Sequence, residues 1–158
     1  MTAIIFYRVE PSALESLDGG LERIDVHLRV WSIAEEPTLR QPSLDQLRRA
    51  LGAELVAGDP DDLTRPVGAI KVAAMSVPNL LDHVLDDTVF ITPGDRADVI
   101  IAAAMTRSSS AYPAITGVIV SGGLPPDPRV VALIDAMSSG PTIPLLAVDT
   151  DTYDTAIA

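Results

Sequence analysis

The residues best able to do chemistry in this 158-residue sequence fall in two short runs, Thr92-Pro93-Gly94-Asp95-Arg96 and Ser121-Gly122-Gly123. An arginine beside a glycine turn that opens a helix can hold an anion, because the guanidinium and the first amides of the helix both donate. Two consecutive glycines let another group come close to the backbone. Together the runs read as a crevice for a small anionic metabolite or nucleotide, contacted by Thr92, Gly94, Asp95, Arg96, Ser121, Gly122 and Gly123. The same residue types also build ordinary strand-to-helix turns. Residue chemistry alone favours that plainer account. Neither run is a Walker A loop or a dinucleotide fingerprint, since Gly122-Gly123 is followed by no Gly-Lys-Thr and no spaced third glycine. Arg96 is awkward at a helix start, where a cation opposes the helix dipole, so it has the most to explain.

No other cluster assembles a catalytic set, and none is expected. His27 and His83 lie far apart, without the second His, Cys or spaced carboxylate pair that a ligand or base would need. Ser108-Ser109-Ser110 reads as a loop, with nothing nearby to activate a hydroxyl. Asp59-Asp61-Asp62 and Asp149-Asp151-Asp154 lack the glycine and terminal glutamate of a calcium loop, so they are read as turn-forming and capping aspartates. No metal and no cofactor is expected in this chain.

The elements that must position the two runs follow from periodicity. Ala3–Tyr7 reads as a buried strand, Pro11–Leu21 as a short helix and Val26–Ile33 as a half-buried strand. Glu35–Pro42, with two prolines and no periodicity, reads as a connector and the best domain boundary. Ser43 can cap a helix over Leu44–Leu51 that Gly52 stops, and a brief strand at Glu54–Val56 precedes the polar turn Gly58–Asp62. From Val67 the alternation is regular. Strands are expected at Gly68–Ala74, Thr88–Ile91, Gly117–Val120 and Pro144–Val148. Helices are expected at Val77–Leu85, Asp95–Thr106 and Asp127–Met137. Ser76, Asp95 and Asp127 stand as their caps, with Asp98 in the reciprocal position. Such alternation predicts an α/β fold, a mostly parallel sheet covered on both faces. Ligands would then meet the loops leaving the carboxyl ends of the strands.

Composition sets the outer limits. Hydrophobic residues make up 47% but aromatics only 4%, so the core must be built from Ala, Val, Ile and Leu. Twenty-two acidic against 11 basic residues give a formal charge of −11, and Lys71 is the single lysine. That field repels phosphate backbones and anionic membranes, so neither nucleic acid nor membrane is expected as a partner. The longest apolar stretches, such as Val99–Met105, are too short to span a bilayer. No signal-peptide pattern opens the sequence, and cysteine is absent; both fit a cytoplasmic protein.

At Val72-Ala73-Ala74-Met75-Ser76, Phe90–Arg96 and Val118–Pro128 the sequence resembles the DRTGG domain. Asp95-Arg96 and Gly122-Gly123 match the motif that gives the family its name, with Ser121 in place of threonine. The closing Asp151–Ala156 resembles the end of that domain. The resemblance implies a three-layer α/β/α domain with a mostly parallel sheet, like the HPr-kinase N-terminal domain, over residues 42–158. The wider context resembles long-type bacterial phosphate acetyltransferase, in which a dethiobiotin-synthetase-like P-loop domain precedes the DRTGG domain and the catalytic domain follows it. Arg8–Pro11 and Ile33–Pro37 then imply that residues 1–41 are the tail of that first domain plus a connector, with Tyr7 where the family has asparagine. The resemblance implies a noncatalytic accessory domain, for assembly or metabolite sensing, of the enzyme interconverting acetyl-CoA and phosphate with acetyl phosphate and CoA. Its expected partners are itself, as a homodimer or higher, a catalytic acetyltransferase domain, and a small anionic metabolite or nucleotide. The rival is a free-standing nucleotide- or metabolite-binding regulatory module.

Overall fold

The computed structural model describes residues 3–10, 12–14, 16, 29–35, 41–137 and 142–158. Most of the helix expected over Pro11–Leu21, His27 and the heart of the Glu35–Pro42 connector lie outside them. Contacts divide the chain into two compact units, Met1–Arg40 and Gln41–Ala158.

The first unit pairs β1 (Ala3–Val9) with β2 (Arg29–Ala34) in parallel, Ile5 opposite Trp31 and Tyr7 opposite Ile33. The expected burial is not found: Ile5, Tyr7, Trp31 and Ile33 are all exposed. A sheet of only two strands buries little, so an apolar strand sequence is left facing solvent.

The second unit begins with α1 (Leu44–Leu51), whose N-terminus is closed by a reciprocal box: Ser43 Oγ accepts from the Gln46 amide and Gln46 Oε1 from the Ser43 amide. Gly52 ends it in the left-handed conformation, φ 61°. Then come β3 (Glu54–Ala57), a 3₁₀ turn (Pro60–Thr64), β4 (Ala69–Val72), α2 (Val77–Leu81), β5 (Thr88–Pro93) and α3 (Ala97–Ser108). The chain closes with β6 (Gly117–Ser121), α4 (Pro128–Met137), β7 (Leu145–Ala147) and α5 (Thr152–Ile157). The five strands order as β3-β7-β6-β5-β4, all parallel except β3, which runs antiparallel to β7.

Helices cover both faces, as the α/β reading requires. On one face Phe90, Val118 and Val120 pack with Val99, Ile100, Ala103 and Ile134 from α3 and α4. On the other, Val89, Ile91, Ile119 and Leu146 pack with Leu44, Leu47 and Leu51 of α1. Burial of β5 and β6 on both faces is what their unbroken apolar runs encode.

Three local expectations are corrected. α2 stops at Leu81 rather than Leu85, and Ser76, at its N-cap position, makes no side-chain capping bond. The N-cap of α3 is Arg96, not Asp95. Asp127 does cap α4, accepting from the Arg129 amide at 2.8 Å, with Pro128 as the first helical residue.

Candidate functional site

β5 and β6 are neighbours in register, with Pro93 paired to Ser121. Both predicted runs therefore leave the same, carboxyl edge of the sheet. They do not stand apart to frame a crevice. They are packed backbone against backbone: a Cβ placed on Gly94 would lie 1.6 Å from the Leu124 carbonyl oxygen. The Gly94 amide points to Ser121 O at 3.4 Å.

The glycine pair is tied in the other direction. Gly122 and Gly123 take φ of 84° and 63°, the left-handed region that side chains resist. That bend turns their amides onto the exit of β7, where Gly122 donates to Thr150 O at 2.7 Å and Gly123 to Val148 O at 3.1 Å. Ser121, fully buried, shares a hydroxyl–hydroxyl bond of 2.8 Å with Thr152 at the start of α5. Thr150 in turn meets Thr155 at 2.8 Å, and Asp151 caps α5 by accepting from the Asp154 amide.

Arg96 links the remaining loop. Its Nε and Nη2 grip Asp98 Oδ1 and Oδ2, each at 2.9 Å, and Nη2 also donates to Met75 O, in the loop after β4, at 3.2 Å. The fork-on-fork hydrogen bonds with Arg96 hold the Asp98 carboxyl below its usual range, and the same bonds raise the guanidinium. This resolves the awkward cation at the helix start: Asp98 neutralises it and restores a carboxylate to the first turn.

The amides of Gly94, Gly122 and Gly123 thus point at carbonyls of the same domain, and Arg96 is taken up by Asp98 and Met75. Every arginine of the second unit is in an ion pair: Arg48 and Arg49 with Asp45, Arg65 and Arg107 with Asp62, Arg96 with Asp98, Arg129 with Asp127. Thr92 differs, its Oγ1 buried without a partner.

Two clefts border the runs, one reached by Gly94 and Asp95 and the other by Gly123. A cleft of about 750 Å³ opens between the first turns of α3 and α4, walled by Gly94, Asp95, Ala97, Ile100, Leu133 and the prolines 125, 126 and 128. Its polar rim is Asp95, Asp127 and Arg129. The hydrogen bonds of Arg129 pull the Asp127 carboxyl down to about 2. A second cleft of about 270 Å³ runs past Gly123, Leu124 and Asp149 to Glu54 and Val56 of β3. Thr92, Arg96, Ser121 and Gly122 line neither.

Outside the two runs, Asp59, His83 and Ser109 are found as turn and surface groups, while Asp62 is the shared ion-pair partner of Arg65 and Arg107. Asp59 caps the 3₁₀ turn through the Asp61 amide, Ser109 Oγ accepts from the Ala111 amide, and His83 is exposed. Among the described residues no three His, Cys, Asp or Glu converge on a metal position, and no helix is long and apolar enough to cross a membrane. The contributions of Leu124, Thr150 and Thr152 were missed, because a carbonyl oxygen and a distant hydroxyl leave no local pattern.

A layered, mostly parallel α/β domain with its signature at the carboxyl edge of the sheet is the class this geometry defines. The chain belongs to the DRTGG domain family, whose sequence profile matches residues 46–158. Among similar proteins, a phosphate acetyltransferase of Nitratidesulfovibrio vulgaris is 39% identical over 128 residues, covering 81% of this chain and 18% of that enzyme. One of Synechocystis is 28% identical over 159 residues, 99% of this chain and 22% of the enzyme. One of Deinococcus radiodurans is 31% identical over 125 residues, 78% and 17%. The chain spans about a fifth of the length of these enzymes. In fold it is similar to the CBS and DRTGG domains of the regulatory region of Clostridium perfringens pyrophosphatase, crystallised with the activator diadenosine tetraphosphate. The TM-score is 0.58 at 19% identity, over 90% of this chain and 54% of that one.

Proposed function

We propose that this chain is a noncatalytic accessory segment of a phosphate acetyltransferase, the enzyme that interconverts acetyl-CoA and phosphate with acetyl phosphate and CoA. Its role is assembly or metabolite sensing, and its partners are other copies of itself and a catalytic acetyltransferase domain. The observation that carries this reading is the closure of the signature: its glycine amides, Ser121 and Arg96 bond to the same domain and so hold loops together. A catalytic site keeps a nucleophile or base free to face substrate, whereas a scaffold satisfies its polar groups internally.

Residues 1–41 enter the proposal as the tail of a preceding P-loop-like domain with its connector. Parallel strands with Ile5 and Tyr7 beside Trp31 and Ile33 in solvent are what two strands cut from the middle of a larger covered sheet would present. The test is direct. The purified 158-residue chain, given acetyl-CoA and phosphate, should form acetyl phosphate no faster than a protein-free blank, and a rate above the blank overturns the reading.

A second reading, a nucleotide- or metabolite-binding regulatory module, is favoured by the cleft of about 750 Å³ beside Gly94 and Asp95. Calorimetry with adenine nucleotides, diadenosine tetraphosphate, CoA, acetyl phosphate and NADH separates the two. Heat that saturates with one of these, and weakens in Leu133→Arg at the cleft wall, supports the module.

A further inference from the structure

At the amino edge of the sheet, opposite the signature, two arginines share one carboxylate. Asp62 lies in the 3₁₀ turn that leads toward β4, and Arg65 stands at its end. α3 starts at the carboxyl edge and runs back along the sheet, so Arg107, in its last turn, returns to the amino end. Arg107 Nη2 donates to Asp62 Oδ2 at 2.6 Å. Arg65 Nη1 stands 3.9 Å from Asp62 Oδ1, too far for a hydrogen bond. We propose that Arg65 and Arg107 together hold a small oxyanion, of the kind that acetate and inorganic phosphate represent. The site is separate from both clefts and does not depend on the accessory role.

The unused donors carry the argument. A guanidinium offers five N–H groups and accepts nothing. Among the described residues that of Arg65 makes no hydrogen bond, and its Nε is buried. Arg107 Nη1 is likewise buried without a partner. Leaving a charged donor unpaired inside a protein is costly, so a ligand that pairs both is favoured. The two side chains are 35% and 14% exposed, which gives a ligand its way in beside Arg65. The main chain of Arg65 is fixed, its carbonyl accepting from the Leu44 amide at 2.9 Å and its amide donating to Asp62 O at 3.1 Å. Its guanidinium has no such tie and is free to turn its fork onto an entering anion.

The other arginines of the unit show what a completed pair looks like. Arg48 and Arg49 also share one carboxylate, yet they reach Asp45 at 2.9 Å and 2.6 Å, and Arg49 is 73% exposed, so water serves its other donors. Arg96 and Arg129 each grip both oxygens of their aspartate. At Asp62 one carboxylate faces two guanidiniums, which leaves one positive charge over. A planar fork fits the paired oxygens of a carboxylate or phosphate, a match that a spherical halide cannot make. Of the nearby carboxylates, Asp59 accepts from the Asp61 amide and Asp61 is exposed. The chain's formal charge of −11 opposes an anion from a distance. Salt screens charges beyond about 8 Å at physiological ionic strength, whereas the two guanidiniums act in contact.

Calorimetric titration of the 158-residue chain with sodium acetate and with sodium phosphate, against sodium chloride at equal ionic strength, tests the site. At least one of the two oxyanions should saturate a single site, with chloride clearly weaker. Arg65→Ala should weaken binding roughly tenfold, the loss of one charge-assisted bond. Arg49→Ala, which removes a completed pair from the same unit, should leave it unchanged. Asp62→Asn takes away the competing carboxylate and should tighten binding roughly threefold, a change of sign that lost folding cannot mimic. Arg65 is partly exposed, so Arg65→Ala should keep its far-ultraviolet circular dichroism. Heat that never saturates, an equal response to chloride, or binding indifferent to Arg65→Ala overturns the site.

Discussion

Gly94 lies against Leu124 so closely that the loops after β5 and β6 are, sterically, one object. A methyl group on Gly94 would fall 1.6 Å from Leu124 O, and a backbone oxygen cannot swing aside as a flexible side chain can. Gly94→Ala should therefore destabilise the domain by about 3 kcal/mol, at the upper end of overpacking costs. Gly122→Ala meets no atom within 4 Å and only has to hold φ near 84°. Its cost should be smaller, about 1–2 kcal/mol, that of a left-handed residue. Urea unfolding of the two variants checks the order; equal losses would mean that the loops can part.

The hydroxyl pair of the buried Ser121 and the partly buried Thr152 joins β6 to α5. Removing either hydroxyl leaves the other unpaired, so Ser121→Ala and Thr152→Val should each cost about 1 kcal/mol. The double variant should cost less than the sum. A double-mutant cycle with no coupling would show that each hydroxyl finds another partner.

Acid should loosen the first turn of α4. Bonds from Arg129 hold the folded-state pKa of Asp127 near 2, below its value in an unfolded chain. A carboxyl lowered on folding gives stability that is complete above its unfolded pKa, about 4, and lost as pH falls through the folded value. Asp98, lowered by Arg96, acts in the same direction. Thermal unfolding between pH 5 and about pH 2 should fall less steeply in Asp127→Asn than in the parent. Parallel curves would count against the pair.

Arg96→Ala removes the grip on Asp98 and the reach to Met75 O. Partly exposed pairs contribute little, so the global loss should stay within about 1 kcal/mol. The informative measurement is amide exchange, which should quicken around residues 73–77 more than in the strands. Arg96→Lys should not restore protection, because a lysine cannot hold a carboxylate and a distant carbonyl in one planar fork.

Much of the fold could be read from the sequence because β5 and β6 are unbroken apolar runs bounded by turn residues, alternating with helix-length segments. Ser43, Asp127 and Gly52 announced their helix ends through local bonds alone. The features that escaped reading are non-local. Nothing in Glu54-Leu55-Val56 says that it runs antiparallel to β7. Asp95 looked like the cap of α3, yet Arg96 holds that position because its pair with Asp98 and its bond to Met75 settle the turn. The strand apolarity of Ile5 and Trp31 was legible, but their exposure depends on neighbours that the residues cannot name. The two signature runs were found as residues; that they fasten to each other and to Thr150 emerges only when β7 is laid beside β6.

The pairing of β3 with β7 orders events in time. During vectorial synthesis β3 emerges long before Leu145–Ala147, and the glycine loop must wait as well for Val148, Thr150 and Thr152. Until those residues clear the ribosome, the nascent sheet lacks the strand that joins β3 to β6, and the signature has nothing to close on. A DRTGG motif locked in this way marks a domain whose translation has passed β7 and whose folding has run to completion.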